Sequence, residues 1–185
     1  MPTLAGNALA LDFANSVDDR GTSRERDFLP DLVSFRAWCR KVGLQVADDA
    51  KDAGIVEVHD LRDAIAAVAQ AAALERSPPP DALALVNRHL PPVRLAWTAE
   101  GFALETPAQP GSVQAALATL AQNIVDLLAG PRRAQLRICE RPGHCDWVFL
   151  DTTRNHSRKY CTDGCAITER VARHTRRSRG KPESA

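Results

Sequence analysis

The sequence predicts a mainly α protein with one small β-hairpin, built as a helical N-terminal domain followed by a compact, cysteine-rich C-terminal module. Three observations carry that expectation. Aromatic residues make up only 5% of the 185 residues while alanine is abundant, which suits closely packed helices better than strands, since strands favour aromatic and β-branched side chains. Apolar residues recur at three- and four-residue spacing in segments punctuated by proline and glycine. Four of the five cysteines fall within the 27 residues from Cys139 to Cys165.

The elements follow in order. Asp31, after Pro30, is placed to cap a helix running through Trp38 to about Val42, with Gly43 as its stop; Leu32, Phe35 and Cys39 share one face of it. Asp48 or Asp49 can open the next stretch. From Ile55 to Leu74 the spacing is helical, with Leu61, Ile65, Val68 and Ala72 on one side, until Ser77-Pro78-Pro79-Pro80 ends it. Asp81 then caps a short helix to Leu90, stopped by Pro91-Pro92. Between Val93 and Glu105 the period changes to two: Val93, Leu95 and Trp97 alternate, as do Phe102 and Leu104, around Glu100-Gly101, which reads as a hairpin. Ser112 caps a last apolar helix to about Ala129. Gly130-Pro131 marks the domain boundary, giving domains 1–130 and 131–185. In the second, Leu136 to Glu140 and Trp147 to Asp151 read as short strands, Cys165 falls in the first turn of a final helix, and Gly180 to Ala185 reads as a frayed tail.

Charge divides the same way. The formal net charge of +1 is the sum of −6 over residues 1–130 and +7 over residues 131–185, an asymmetry that suggests modules with different partners; mutual attraction of the two halves is the plainer alternative. No apolar run is long enough to span a bilayer, and the N-terminus lacks the basic flank and apolar stretch of a secretory signal. The expected compartment is the cytoplasm, with no membrane partner, where clustered cysteines more often hold metal than form disulfides.

A module of about 55 residues buries too little apolar surface to be secure alone and needs a staple. Its cysteines supply one. Cys139 and Cys145 have five residues between them, Cys161 and Cys165 three, and fifteen separate the pairs. Two closely spaced pairs deliver four thiolates to one ion, the tetrahedral set of a structural zinc site, which leaves no open position for catalysis. A knuckle, a hairpin and a helix carrying the final ligands describe a treble-clef-like zinc module. His144 is an alternative ligand in place of Cys145, while Pro142-Gly143 gives the long first loop a turn. Unrelated free thiols and a redox pair are the competing readings, and neither pair has Cys-x-x-Cys spacing. Cys39, beside Trp38, reads as a core residue.

The residues also resemble a known family. Leu136-Arg-Ile-Cys139, the run Cys145-Asp-Trp-Val-Phe-Leu-Asp151, Arg158-Lys-Tyr-Cys161 and Cys165, followed by basic residues, resemble the CGNR zinc finger. Leu9-Ala-Leu-Asp-Phe-Ala-Asn-Ser16 resembles the opening motif of the ABATE domain that accompanies it, as do the Trp38 helix, the Leu61-Arg62-Asp-Ala-Ile65 stretch and the hairpin. The resemblance covers nearly the whole chain. It implies a stress-linked bacterial transcriptional regulator with Cys139, Cys145, Cys161 and Cys165 as metal ligands. Two departures stand out. The chain reads Cys165-Ala-Ile-Thr168 where the family name spells Cys-Gly-Asn-Arg, so no role of that glycine, asparagine or arginine carries over by position. The first cysteine pair is also one residue longer than the family's spacing.

The predicted function is therefore DNA binding by a cytoplasmic regulator, with an N-terminal sensor or oligomerisation domain. Arg170, Arg173 and Arg177 share a helical face, with Arg176 beside it and Arg179 beyond. Arg154, Arg158 and Lys159 precede Cys161, so a metal that joins loop and helix makes one basic surface for double-stranded DNA. A zinc-stapled protein-interaction adaptor is the alternative, and a homodimer matches palindromic operators. Asp12 and Asn15, costly to bury unpaired, read either as a buried network with Arg62 or as a pocket for a small-molecule effector. An enzyme is not expected. His59, His89, His144, His156 and His174 are scattered, and no phosphate loop or nucleophile elbow is present.

Overall fold

A computed structural model describes residues 3–50, 52–105, 111–141 and 145–179. In chain order the elements are α1 (Leu9–Ala14), β1 (Val17–Asp18), β2 (Arg26–Asp27), α2 (Leu32–Lys41), α3 (Ile55–Ala73), α4 (Pro80–Arg88), β3 (Arg94–Thr98), β4 (Gly101–Glu105), α5 (Val113–Ala129), a 3-10 turn (Pro131–Gln135), β5 (Leu136–Ile138), β6 (Val148–Leu150) and α6 (Asp163–Arg179). Among the described residues the strands form three separate antiparallel pairs, β1–β2, β3–β4 and β5–β6. No helix among the described residues is long and apolar enough to cross a membrane.

Helix α3 is the hub. It packs on α1, α4 and α5 and also touches β5 and β6; of the predicted face, Leu61, Ile65 and Val68 are buried and Ala72 is half-buried. The rings of Phe13 (α1), Phe35 and Trp38 (α2) meet at centroid distances of 5.5 to 6.3 Å. Cys39 is buried among them, as expected of a core thiol, and burial pushes its pKa up to about 12.

Local chemistry explains where the helices start. Asp31 caps α2 by accepting from the Ser34 N–H at 2.7 Å. Ser112 caps α5 through the Ala115 N–H at 2.9 Å, and the Asp52 carboxylate, from before α3, accepts from the Val113 and Gln114 N–H groups at 3.0 and 2.8 Å. Together they satisfy donors that a helix N-terminus otherwise leaves orphaned. Asp48 and Asp49 open no helix; Gly54 stands at the N-cap of α3. Asp81 is not the cap of α4 but lies in its first turn, because Pro80 takes the first helical position, where its fixed φ and missing N–H cost nothing.

Two features lay beyond the sequence reading. One is α1, whose six residues are too few to show a period. The other is the two-residue β1–β2 pair, in which Val17 faces Asp27 and Asp18 faces Arg26.

The C-terminal strands are built into the helical core. Leu136, Val148 and Leu150 belong to the main hydrophobic cluster, while Phe149, on the opposite face, joins a smaller one made of Ala5, Trp147, Cys139, Cys161 and Cys165. The register explains the division: Leu136 pairs with Leu150 and Ile138 with Val148, facing one way, and Arg137 pairs with Phe149, facing the other. The free edge of β6 is covered by the N-terminal segment, since the Leu150 N–H donates to the Gly6 C=O at 2.9 Å and the Asn7 amide donates to the Leu150 C=O at 2.9 Å.

Candidate metal centre and basic helix

The four predicted ligands come from four places in the C-terminal module. Cys139 follows β5, Cys145 lies in the loop before β6, Cys161 ends the loop after β6, and Cys165 is in the first turn of α6. Their Sγ atoms all lie within 4.8 Å of one another, with Cys145 to Cys161 and Cys161 to Cys165 each at 3.6 Å. These spacings are far too long for a disulfide. They match a tetrahedron with Zn–S bonds of about 2.3 Å, whose edge is about 3.8 Å. The four thiolates thus fit one structural zinc ion. His144 and the Pro142-Gly143 turn lie outside the described residues.

Backbone donors and nearby charge prepare the sulfurs. The Cys161 N–H donates to Cys139 Sγ at 3.4 Å. Thr162 caps α6, its hydroxyl accepting from the Cys165 N–H at 3.2 Å, so the positive end of the helix faces Cys165. Hydrogen bonds from the Cys145 and Cys161 thiols hold the Cys139 thiol well below its ordinary pKa, and the same contacts push Cys145 and Cys161 up. Arg141 lies close by. Burial disfavours its charge, but the sulfurs of Cys165 and Cys145 and the carboxylates of Asp18 and Asp19 raise its pKa further. Its guanidinium reaches Asp19 at 3.1 Å and Asp18 at 3.7 Å, bridging the thiolate cluster to the β1–β2 region.

The loop between β6 and Cys161 is shaped by Asp151. One carboxylate oxygen accepts from the Thr153 N–H and hydroxyl at 2.9 and 2.6 Å, the other from the Arg158 N–H at 2.8 Å. Burial works against ionisation here, but the Thr153 and Arg158 hydrogen bonds outweigh it and hold the carboxyl below its usual range. The loop then turns Arg158 back on itself. Its guanidinium stacks over the Phe149 ring, 4.8 Å from the centroid, and donates to the Tyr160 and Cys161 carbonyls. Arg158, read from sequence as part of the basic surface, is thus a brace for the Cys161 turn.

The other basic residues lie outward. Arg154 is exposed, and Lys159 is exposed while pairing with Glu140 at 3.0 Å. On α6, Arg170, Arg173 and Arg176 are exposed. The buried Glu169 carboxylate draws in Arg176 at 2.8 Å and Arg173 at 3.8 Å. Arg177 and Arg179 belong to α6, but their side chains lie outside the described residues, as does all of Lys181.

Asp12, Asn15 and Arg62 do not meet as a network. Asp12 accepts from the Gly6 N–H at 2.8 Å, and burial pushes its carboxyl up against that bond and one from Ala5. Arg62 pairs instead with Asp27, both carboxylate oxygens lying at 2.8 and 2.9 Å, and with Asp63 at 3.2 Å. Asn15 makes a two-point clamp on β6: its amide donates to the Val148 C=O at 2.8 Å and its carbonyl accepts from the Val148 N–H at 3.1 Å. With Trp147 Nε1 donating to the Val17 C=O at 2.7 Å, this joins the N-terminal segment to the cysteine module. The sequence signals for these roles are faint. Asp151-Thr-Thr153 is a recognisable Asx-type turn, but nothing local marks Asn15 as reaching residues far along the chain.

Two known family models match the chain. The ABATE family model, described as "Putative stress-induced transcription regulator", matches residues 7–131. The CGNR zinc finger model matches residues 135–178. No curated protein matches the chain.

Proposed function

The chain belongs to the ABATE family, with a CGNR zinc finger at its C-terminal end, and on that footing we propose that it is a cytoplasmic transcriptional regulator, not an enzyme, that binds duplex DNA through α6. One observation carries the reading. Cys165 ties the first turn of α6 to the metal centre, while from Arg170 to Arg176 every side chain except Ala172 is exposed. The zinc would hold one end of a helix whose remaining turns project arginine into solvent. Arginine pairs with phosphates and can read guanine with two hydrogen bonds. Phosphates would compete with Glu169 for Arg173 and Arg176 and meet Arg170 without such competition.

The test is fluorescence anisotropy of the zinc-loaded full chain on a mixed-sequence duplex, across a salt series. Each phosphate contact adds roughly 0.9 to the slope of log K against log salt, so replacing Arg170 and Arg173 by Ala flattens it by about 2 and weakens binding. Binding indifferent to salt and to zinc removal contradicts the proposal. The adaptor reading is favoured by Ile167 and Val171, one turn apart on α6 and 55% and 60% exposed. It predicts a protein partner whose binding survives high salt and is lost in Ile167→Asp.

Effector control fits a different place from Asp12 and Arg62. A cleft of about 760 Å³ opens where the ends of α3 and α5 meet α4 and β5. Its lining includes Leu83, Leu128 and Leu136 and the charged residues Arg76, Arg133, Arg137 and Glu75; three guanidinium groups against one carboxylate favour an anion with an apolar body. Leu136 begins β5, which ends one residue before Cys139, and this gives an occupant a short route to the metal centre.

A further inference from the structure

We propose that the outer face of the β3–β4 hairpin is the surface through which two copies of this chain join. The proposal is independent of DNA binding. Pairing of Trp97 with Phe102 and the alternation along β3 set Leu95, Trp97 and Phe102 on one face of the hairpin, and Val93 continues the same alternation. That face points into solvent: Val93 is 60% exposed, Leu95 69%, Trp97 75% and Phe102 74%. The opposite face, with Ala96, Thr98 and Ala103, is the half-buried one. The pattern is inverted relative to a strand pair laid on its own core, with small residues inward and the bulky apolar ones outward.

The Trp97 and Phe102 rings already touch edge to face, with centroids 4.9 Å apart. A two-stranded hairpin is marginally stable without a third strand or a packed face, and this one packs chiefly on itself. Among the described residues its bulky face carries no charged side chain, so the fitting surface must be apolar too. A second copy of the same face meets that requirement under a two-fold axis, which makes the contact self-complementary and closed.

The area is sufficient. The two aromatic rings offer on the order of 150 Å² each, and Leu95 and Val93 roughly 100 Å² each. That is about 500 Å² per copy and about 1,000 Å² for the pair, the size of a weak, reversible interface. Trp97 and Phe102 at the centre are the residue types that anchor such contacts. The resulting dimer would carry two metal centres and two copies of α6.

Sedimentation velocity of the zinc-loaded full chain over a concentration series tests this. The wild type is expected as a dimer that dissociates on dilution, and Trp97→Ser with Phe102→Ser as a monomer with unchanged zinc content and far-UV circular dichroism. A second readout needs no substitution. Trp38 and Trp147 are buried, so acrylamide quenching of tryptophan emission reports mainly Trp97 and should fall as the dimer forms. A wild type that stays monomeric throughout, a dimer that persists in the double variant, or quenching that does not change with concentration overturns the proposal.

Discussion

Around α3, the rings of Phe13, Phe35 and Trp38 and the leucines of α5 exclude water by packing alone. On the other face of the β5–β6 pair, the buried side chains are Ala5, Trp147, Phe149 and three cysteines, with Cys145 at the edge. The larger cluster gains enough from apolar burial, roughly 25 cal/mol per Å², to order its helices without a cross-link. The smaller one cannot, and thiolate coordination takes the place of the missing hydrophobic residues. The β5–β6 pair belongs to both, so its alternating side chains connect a region held by packing to one held by metal.

That contrast can be broken most forcefully at the metal. Chelation, or Cys161→Ser, removes a contribution on the order of 10 kcal/mol as measured in small zinc modules. Hydrogen exchange should then show lost protection in α6 and the loop before it, with α3 and α5 still protected. Loss of protection everywhere in one step would show that the two regions are not held separately.

The clamp between the regions comes next. Asn15→Ala leaves the Val148 N–H and C=O unpaired at a buried site, which should cost about 2–4 kcal/mol in urea unfolding. Gly6→Ala tests the same junction by crowding. A Cβ at Gly6 would lie 2.6 Å from the Leu11 Cβ and 3.0 Å from the Asp12 N, and a loss of about 1–3 kcal/mol is expected. An unchanged midpoint in either variant would mean that the N-terminal segment does not hold β6 in place.

The smallest effect lies within the helical region. Asp52→Ala removes an acceptor from the start of α5 and should cost about 1 kcal/mol near neutral pH. Despite some desolvation, the Gln114 and Val113 N–H groups hold the Asp52 carboxyl below its ordinary pKa of 3.8. Its stabilisation is therefore present above that value and lost as pH falls through the lower folded one. The difference between wild type and variant should shrink over that range in pH-dependent thermal unfolding.

Much of this was legible in the sequence because the determinants are local. Asp31 and Ser112 cap helices through residues three positions on, the Leu61–Ile65–Val68 face follows from period alone, and the cysteine spacing announces a metal site. What was not legible depends on distant partners. Asn15 meets Val148, Trp147 meets Val17, and Arg62 chooses Asp27 over Asp12; none of these pairings has a spacing to read. Arg158 looked like a free basic residue because sequence does not show the Phe149 ring beneath it. Outward orientation of the hairpin's bulky face was equally hidden, since alternation tells which residues share a face and not which way it points.

The central claim is that one tetrathiolate zinc fastens α6 to the folded core, and X-ray absorption at the zinc edge of the loaded full chain tests it most directly. One zinc per chain and a single shell of four sulfurs at about 2.3 Å are expected. A nitrogen in the shell, the signature of a histidine such as His144 replacing a thiolate, or substoichiometric zinc in a chain whose α6 is nonetheless ordered, would contradict it.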